Sequence, residues 1–552
     1  MQVIKGFPST MGDDYPLNTT TLIRHAVRNY PSQEIVYRSG DTWERYTYAE
    51  CFARIARVAA ALLALGVKPG DRIGVLGWND HRFFELYYAI PSVGAVMVLL
   101  NQRLCADDLG FVIAHSQVGF IAVDETLLSL AEAIAARAST VRGWIVLSSR
   151  LRSEITTSLS PLHHYEEALD SSAPLTDWPM IDERSAYAAC YTTGTTGQPK
   201  GVYYSHRSIY LHTTALALGL NVTPDDCCMI VAPMFHAQSW GFPQMATLMA
   251  TKIVLPGRYS LEDAPLLIDA CLREGVTVSN GAPAILMSML RYAESLLQAP
   301  DLHRLRLICG ASEPPLAMMQ GFHALTGAEV IHAYGGTETS PVVTINRLKP
   351  QLRTSLNAEE RWNLRTKQGL PVPGVDIKLL SPDNRELPHD GRAVGEICLR
   401  GPWITAGYHD LPESDGRFID GYWRSGDVGS IDNQGYLKIT DRLKDVIKSG
   451  GEWISSIDME NALMGHAAVR EAAVVGIVHP KWEERPLALV ALKAGYEMTS
   501  EQLKEHLRST FAKWQLPDEV LFVDTIPKTS VGKTDKKLIR FQHAHHYTKP
   551  AR

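Results

Sequence analysis

An α/β protein of more than one domain is what this 552-residue sequence predicts, and three observations carry that expectation. Segments with helical spacing alternate with short β-branched runs, the pattern of sheets layered with helices. The chain is longer than a single hydrophobic core usually organises. After Asp441-Arg442-Leu443-Lys444 the texture changes to a compact α+β unit, judged by element order and not by a Pro/Gly linker. The expected organisation is a large N-terminal domain with several subdomains of layered sheets and helices, residues 1–443, followed by a small C-terminal α+β domain, residues 444–552.

Each element follows from its residues. An Ala/Leu-rich stretch near Ala53–Leu65 predicts a helix, and Arg72-Ile73-Gly74-Val75-Leu76 a strand after it. The apolar stretch Leu86–Leu100 contains Pro91 and Gly94. It is too short and too broken to span a bilayer, so it reads as a helix turning into a buried strand. Further strands are expected around Ile230 and over Leu305–Cys309. The terminal unit should hold a helix near Asp458–Met464 and strands at Ala472–Val478 and Leu487–Leu492. A last helix starts near Ser500, where Thr499 or Ser500 can cap it and Glu501 suits the first turn.

Composition narrows the function classes. Apolar residues make up 45% and charged residues 21%, ordinary for a soluble globular protein. A formal charge of −6 supplies no basic field for nucleic acid. The eight cysteines are scattered without a Cys-x-x-Cys pair, which points to reduced thiols in the cytoplasm and away from disulfides or a zinc site. The opening residues Met1-Gln2-Val3-Ile4-Lys5 form no apolar signal segment, and a membrane span is not expected. His543, His545 and His546 read as a chain end and not as a metal site.

Four motifs carry chemistry. The first is Thr192-Thr193-Gly194-Thr195-Thr196-Gly197-Gln198-Pro199-Lys200-Gly201. Its hydroxyls and bare glycine backbone suit a loop wrapping a polyphosphate, and Lys200 adds a positive charge. It is not a Walker A loop, because no Gly-Lys-Ser/Thr ends it. Taken alone, it could also be a flexible surface loop. The second motif is Tyr334-Gly335-Gly336-Thr337-Glu338-Thr339-Ser340-Pro341, in which Glu338 is a hard oxygen ligand suited to Mg²⁺. Gly426-Asp427 and the run from Asp441 through Lys448-Ser449-Gly450-Gly451-Glu452-Trp453 come next. Pro527-Lys528-Thr529-Ser530-Val531-Gly532-Lys533-Thr534 closes the set.

In this order and spacing the motifs resemble the acyl-adenylate-forming (AMP-binding) superfamily, over about Leu22 to Leu538. Lys448–Ser456 and Pro233-Met234-Phe235-His236-Ala237-Gln238-Ser239-Trp240 look most like the medium- and long-chain fatty acyl-CoA synthetases. The resemblance implies an acid–thiol ligase that adenylates a hydrophobic carboxylic acid with ATP and Mg²⁺ and passes the acyl group to CoA.

It also implies a role for each matching position. Thr192, Gly194, Thr195, Thr196 and Lys200 would hold the β- and γ-phosphates, with Thr195 and Glu338 as the Mg²⁺ ligands. Tyr334 would lie on the adenine, flanked by Gly310-Ala311-Ser312 and by His332, Ala333 and Gly335. Thr337 would meet the α-phosphate, Asp427 the ribose hydroxyls, and Arg442 the ribose and phosphate. Lys444 would be the hinge of a mobile small domain, from which Lys448 and Trp453 join the site. Lys533 would bridge the attacking carboxylate and the α-phosphate, with Glu338 and Thr337 completing the catalytic set. Gly450 and Gly451 would border a tunnel for the pantetheine arm, and His236, Ala237, Trp240 and Gly336 the acid pocket, with Trp240 at a gate position.

Gly336 departs from the bulkier residue common in the family, so a ring-bearing or aromatic acid stays an alternative to a fatty acid. Glu313 stands where a small residue is usual, facing either the adenine or solvent. A catalytically silent nucleotide-binding protein is the alternative of another class. The sequence leaves a homodimer open.

Overall fold

The computed structural model describes residues 6–12, 15–192, 198–412, 416–449, 452–528 and 534–548, with backbone only for Glu452 and Trp453. Its class is the α/β expected, a large N-terminal domain followed by a smaller C-terminal one, and four sheets organise it.

The first sheet has seven strands, in the order Leu162–His164, Gly143–Leu147, Val118–Asp124, Arg72–Leu76, Val96–Leu99, Ala186–Tyr191 and Gly201–Ser205. All its pairings are parallel except the last, between the two strands that flank the Thr/Gly loop. The second sheet has nine strands. Its central run, from Glu329–Gly335 through Arg306–Cys309, Val278–Gly281, Cys227–Met229 and Lys252–Leu255 to Glu34–Ser39, is parallel throughout. Antiparallel strands close both edges.

The stretch expected to turn from helix to strand does so. Helix His81–Ser92 has all its residues buried, because it is largely apolar and lies in the main core. Strand Val96–Leu99 follows it. The helix carries two buried charges: Glu85 is compensated by Arg54 at 2.7 Å and by the Tyr165 hydroxyl at 2.7 Å, and Arg82 by Glu166 at 2.6 Å. The early helix runs Tyr48–Ala64, longer at its start than the sequence suggests, because Thr47 and Glu50 form a capping box. The strand expected around Ile230 covers Cys227–Met229 and stops before it. Beyond Met229 the Asn79 side-chain amide takes over as donor, reaching the carbonyls of Ile230, Val231 and Ala232.

The third sheet is antiparallel and contains Asp376–Leu380, Gly395–Arg400, Phe418–Ile419, Tyr422–Ile431 and Leu437–Arg442. The fourth begins at Ile447–Ser449 and pairs Val469–His479 with Glu483–Leu492. One core cluster lies over Ser456–Met464 and Ser500–Leu507, and a second includes Ile526 and Ile539. Both draw only on residues from Ile447 onward, so this unit has its own hydrophobic interior. Thr499, not Ser500, caps the helix at Ser500–Leu507, in a capping box with Gln502.

Candidate active site

The site is built where the first three sheets meet. Thr192 and Lys200, at the two ends of the Thr/Gly loop, are tied to each other: Thr192 N–H donates to Lys200 O at 2.9 Å, and Lys200 N–H to Thr192 Oγ1 at 3.2 Å. The loop interior, with Gly194, Thr195 and Thr196, lies outside the described residues. The Lys200 ammonium stands 5.1 Å from the centre of the Tyr408 ring, a cation–π distance.

That tyrosine leads to Glu338. The Tyr408 hydroxyl donates to Glu338 Oε1 at 2.9 Å and accepts from Trp423 Nε1 at 3.0 Å. Thr405 N–H holds the Glu338 carbonyl at 2.8 Å, and Tyr204 holds that of Thr337 at 2.6 Å. Desolvation raises the Glu338 carboxyl above its ordinary range, although the Tyr408 hydrogen bond opposes this. A desolvated carboxylate gains from a cation brought in with a ligand. Glu338 thus offers the single hard oxygen donor that Mg²⁺ sites need when phosphates and water supply the rest. The residues present fit that ion.

The glycines before Glu338 differ in kind. A Cβ on Gly335 would lie 1.7 Å from Pro341 O, so only glycine fits there. A Cβ on Gly336 would meet nothing closer than Glu338 Oε2 at 3.4 Å, so this position has room.

Strand pairing assembles the next group. Cys309 lies opposite His332, which places Gly310-Ala311-Ser312 beside Ala333 and Tyr334 as the chain leaves the sheet. His332 is buried, hydrogen-bonded through Nδ1 to Thr366 O at 2.9 Å, and kept neutral by burial, which lowers its pKa to about 4. The Tyr334 hydroxyl donates to Asp427 Oδ2 at 2.6 Å. Asp427 and Arg442 are cross-strand partners, with Arg442 Nε 3.4 Å from Asp427 Oδ1. The three side chains therefore form one charged, hydrogen-bonded row.

Glu313 is half-buried and turned toward the small domain. Asn461 of the small domain donates to its Oε1 at 2.9 Å, and Gln368 approaches its Oε2 at 3.5 Å. Desolvation, helped by Asp458, lifts its carboxyl from 4.5 to about 7. A carboxyl whose pKa is raised by folding binds its proton more tightly in the folded state. The stability it lends is complete below the ordinary carboxylate range and is lost as pH rises through about 7. Glu313→Gln keeps an acceptor for Asn461 but cannot titrate. Its melting temperature should therefore fall less than that of the native chain between about pH 4.5 and 7, where the native slope includes up to about 1.4 kcal/mol per pH unit. Equal slopes in thermal melts would show that Glu313 does not titrate there.

The segment expected to line the acid pocket has an unusual backbone. Ala237, Gln238, Ser239, Trp240 and Gly241 all have positive φ, from 43° to 82°, and form one left-handed turn. Such a turn costs roughly 1–2 kcal/mol per non-glycine residue. Buried side-chain amides hold it. Asn280 Nδ2 donates to Ser239 O at 2.8 Å, while its Oδ1 accepts from the N–H groups of Val231 and Ala232 at 3.0 Å. Gln244 Nε2 donates to Gln238 Oε1 at 2.9 Å. The turn sets the Trp240 indole, 7% exposed, against Gly310, where a Cβ would lie 3.4 Å from a ring carbon. His236 is half-buried just before it.

Residues of the small domain are not all gathered here. Lys444 is exposed at the junction between the two units. Lys448 is exposed on the fourth sheet, where its N–H donates to Glu484 at 3.0 Å, and it makes no hydrogen bond to the Glu338 or Asp427 groups among the described residues. Trp453 is its cross-strand neighbour. Gly450, Gly451 and Lys533 lie outside the described residues. Sequence reasoning missed Tyr204, Tyr408, Gln368 and Asn461. They sit in no motif with a periodic or charged signature, and only the fold brings them to the site.

Comparison with known proteins bears on the same residues. The sequence profile of AMP-binding enzymes matches residues 23–409, and that of the AMP-binding enzyme C-terminal domain matches residues 458–533. A long-chain-fatty-acid–CoA ligase of Thermus thermophilus is 42% identical over 99% of this chain and 98% of its own. A 3-methylmercaptopropionyl-CoA ligase of Ruegeria lacuscaerulensis is 39% identical over 95% of this chain and 97% of its own. The solved structure of the anthranilate CoA ligase AuaEII with anthranoyl-AMP superposes with a TM-score of 0.84 at 23% identity, covering 97% of this chain and 99% of that one, and shares the fold. The chain belongs to the AMP-binding enzyme family.

Proposed function

We propose that this chain is an ATP-dependent acyl-CoA ligase that adenylates a hydrophobic carboxylic acid, releasing pyrophosphate, and then transfers the acyl group to CoA, releasing AMP. The observation that carries the reading is Glu338, a desolvated carboxylate held by Tyr408 beside the pinned end of the Thr/Gly loop at Lys200.

In the first step a carboxylate oxygen of the acid bonds to the α-phosphorus of ATP, and the bond from that phosphorus to pyrophosphate breaks. In the second the CoA sulfur bonds to the acyl carbon, its proton is lost, and the C–O bond to AMP breaks. The Thr192–Lys200 loop holds the β- and γ-phosphates, Asp427 accepts the ribose hydroxyls, and Tyr334 covers the adenine beside Gly310-Ala311-Ser312. Glu338 and Thr195 would hold Mg²⁺, which when bound draws charge from the leaving pyrophosphate. Lys533 neutralises charge developing between the acid and the α-phosphate. The small domain, residues 444–552, turns about Lys444 to exchange Lys533 for the Gly450-Gly451 face between the steps. All eight cysteines are free and seven of them are buried, in keeping with a cytoplasmic enzyme. Among the described residues no helix is long and apolar enough to cross a membrane.

The acid is a medium- or long-chain fatty acid in this reading, supported by the Thermus relative and by the buried indole of Trp240. Each buried methylene contributes about 0.8 kcal/mol, so kcat/KM should rise several-fold per carbon until the pocket ends, with acetate poor. A panel of acids assayed for AMP and pyrophosphate, with and without CoA, checks this. Release of ADP in place of AMP overturns the reading. The room at Gly336 favours an aryl or cyclic acid as the second reading. A benzoate- or cinnamate-like acid exceeding octanoate by more than about tenfold, a gap of about 1.4 kcal/mol, would establish it. Gly336→Leu should then harm the ring-bearing acid far more than a straight chain.

A further inference from the structure

A cavity of about 690 Å³ opens at the opposite end of the strand that carries Tyr334. Glu329, the first residue of that strand, lies in its wall, roughly 20 Å from Gly335 at about 3.3 Å per residue. Two short helices, Pro350–Ser355 and Ala358–Thr366, supply half of the rest. They bring Arg353, Arg361 and Arg365 to one concavity, and Arg347 enters from the segment before them.

Four guanidiniums thus face a single carboxylate, and the ion pair at Arg365–Glu329, 3.1 Å, uses one of them. Arg347 donates to Gly219 O at 3.1 Å and is itself partly desolvated. Among the described residues the Arg361 guanidinium donates to a carbonyl alone, Arg353 O at 3.3 Å. Among the described residues neither Arg353 nor Arg361 forms an ion pair. Gathering like charges in a recess is unfavourable unless an anion joins them.

A second observation points to a ligand. Asn346 lines the cavity and is only 6% exposed. Its Nδ2 donates to Leu364 O at 2.8 Å and Lys367 O at 2.7 Å, whereas its Oδ1 has no partner among the described residues. A buried amide oxygen left this way is satisfied by an incoming donor.

The geometry points to a second anion site, separate from the active site, that binds a phosphorylated small molecule. Its phosphate oxygens take the forks of Arg347, Arg353 and Arg361, beside the unpaired amide oxygen of Asn346. The cavity is of a size to hold such a molecule. Free pyrophosphate and a nucleoside phosphate share this chemistry. The helix Ala358–Thr366 connects the site to the nucleotide pocket, because Thr366 O is the partner of His332.

Equilibrium dialysis of the full chain against labelled pyrophosphate, and separately against labelled ADP, tests the site. With the true ligand class the native chain should bind one more equivalent than the Arg353→Glu/Arg361→Glu variant. An extra equivalent of pyrophosphate alone identifies free polyphosphate, and an extra equivalent of ADP identifies a nucleotide. Arg353 is exposed, so Arg353→Gln, which leaves the core untouched, should weaken the same equivalent by about tenfold with an unchanged melting temperature. Acid-dependent pyrophosphate release should be native in both variants, which keeps this result apart from the assignment of the active site. Equal stoichiometry and affinity in native and variant chains with both probes overturns the proposal.

Discussion

Lys533→Ala should lower acyl-adenylate formation by about two to three orders of magnitude, the usual cost of one preorganised contact to a charged transition state. Thioester formation from a presynthesised acyl-adenylate should continue near the native rate, because the anhydride is already activated. The substitution spares the anchor of its own segment. Asp535 N–H bonds to Pro527 O at 2.9 Å, and the buried Lys536 ammonium reaches Glu460 at 2.9 Å and Ser456 at 2.5 Å. Ser456 in turn donates to Asp441, just before the junction. Lys444→Pro, which fixes φ where the domain is proposed to turn, should produce the reverse pattern. Rapid-quench measurement of each half-reaction separates the two variants. Equal loss of both half-reactions in both variants would reject domain alternation.

Gly335→Ala should cost about two orders of magnitude in kcat/KM, while Gly336→Ala changes it by less than about threefold. The contrast is geometric. A methyl group on Gly335 would sit 1.7 Å from Pro341 O and 2.6 Å from its carbonyl carbon, both backbone atoms, so the turn must open. Thr337 and Glu338 lie inside that turn, and displacement of about 1 Å at a reacting centre costs about a hundredfold. Steady-state kinetics on the two variants, with circular dichroism to confirm folding, checks the expectation. Similar kinetics for both would mean that the turn tolerates the methyl group.

The fold was legible in the sequence wherever a local pattern and the tertiary environment agree. Helix His81–Ser92 is largely apolar and strand Val96–Leu99 wholly so, and both are buried on every side. Boundaries slipped where a distant side chain intervenes, as Asn79 does beyond Met229. The Tyr334, Asp427 and Arg442 row was legible because each residue stands in a motif, and the pairing of Asp427 with Arg442 brings two motifs together. Tyr408 and Asn461 were not, since nothing in their neighbours announces that one will hold Glu338 and the other Glu313. The handedness of Ala237–Gly241 was equally hidden: four of its five residues would choose a right-handed turn, and the amides that prevent it come from Asn280 and Gln244.

That turn bears on how transferable the proposed acid pocket is. Its shape is imposed from outside, so its own five residues do not encode it. Grafted into a relative without Asn280 and Gln244, the same sequence should relax to the opposite hand and carry the Trp240 indole away from Gly310. Exchanging acid preference between relatives would therefore require the supporting amides to travel with the segment. The natural unit of exchange is a patch of the folded interior, discontinuous in sequence.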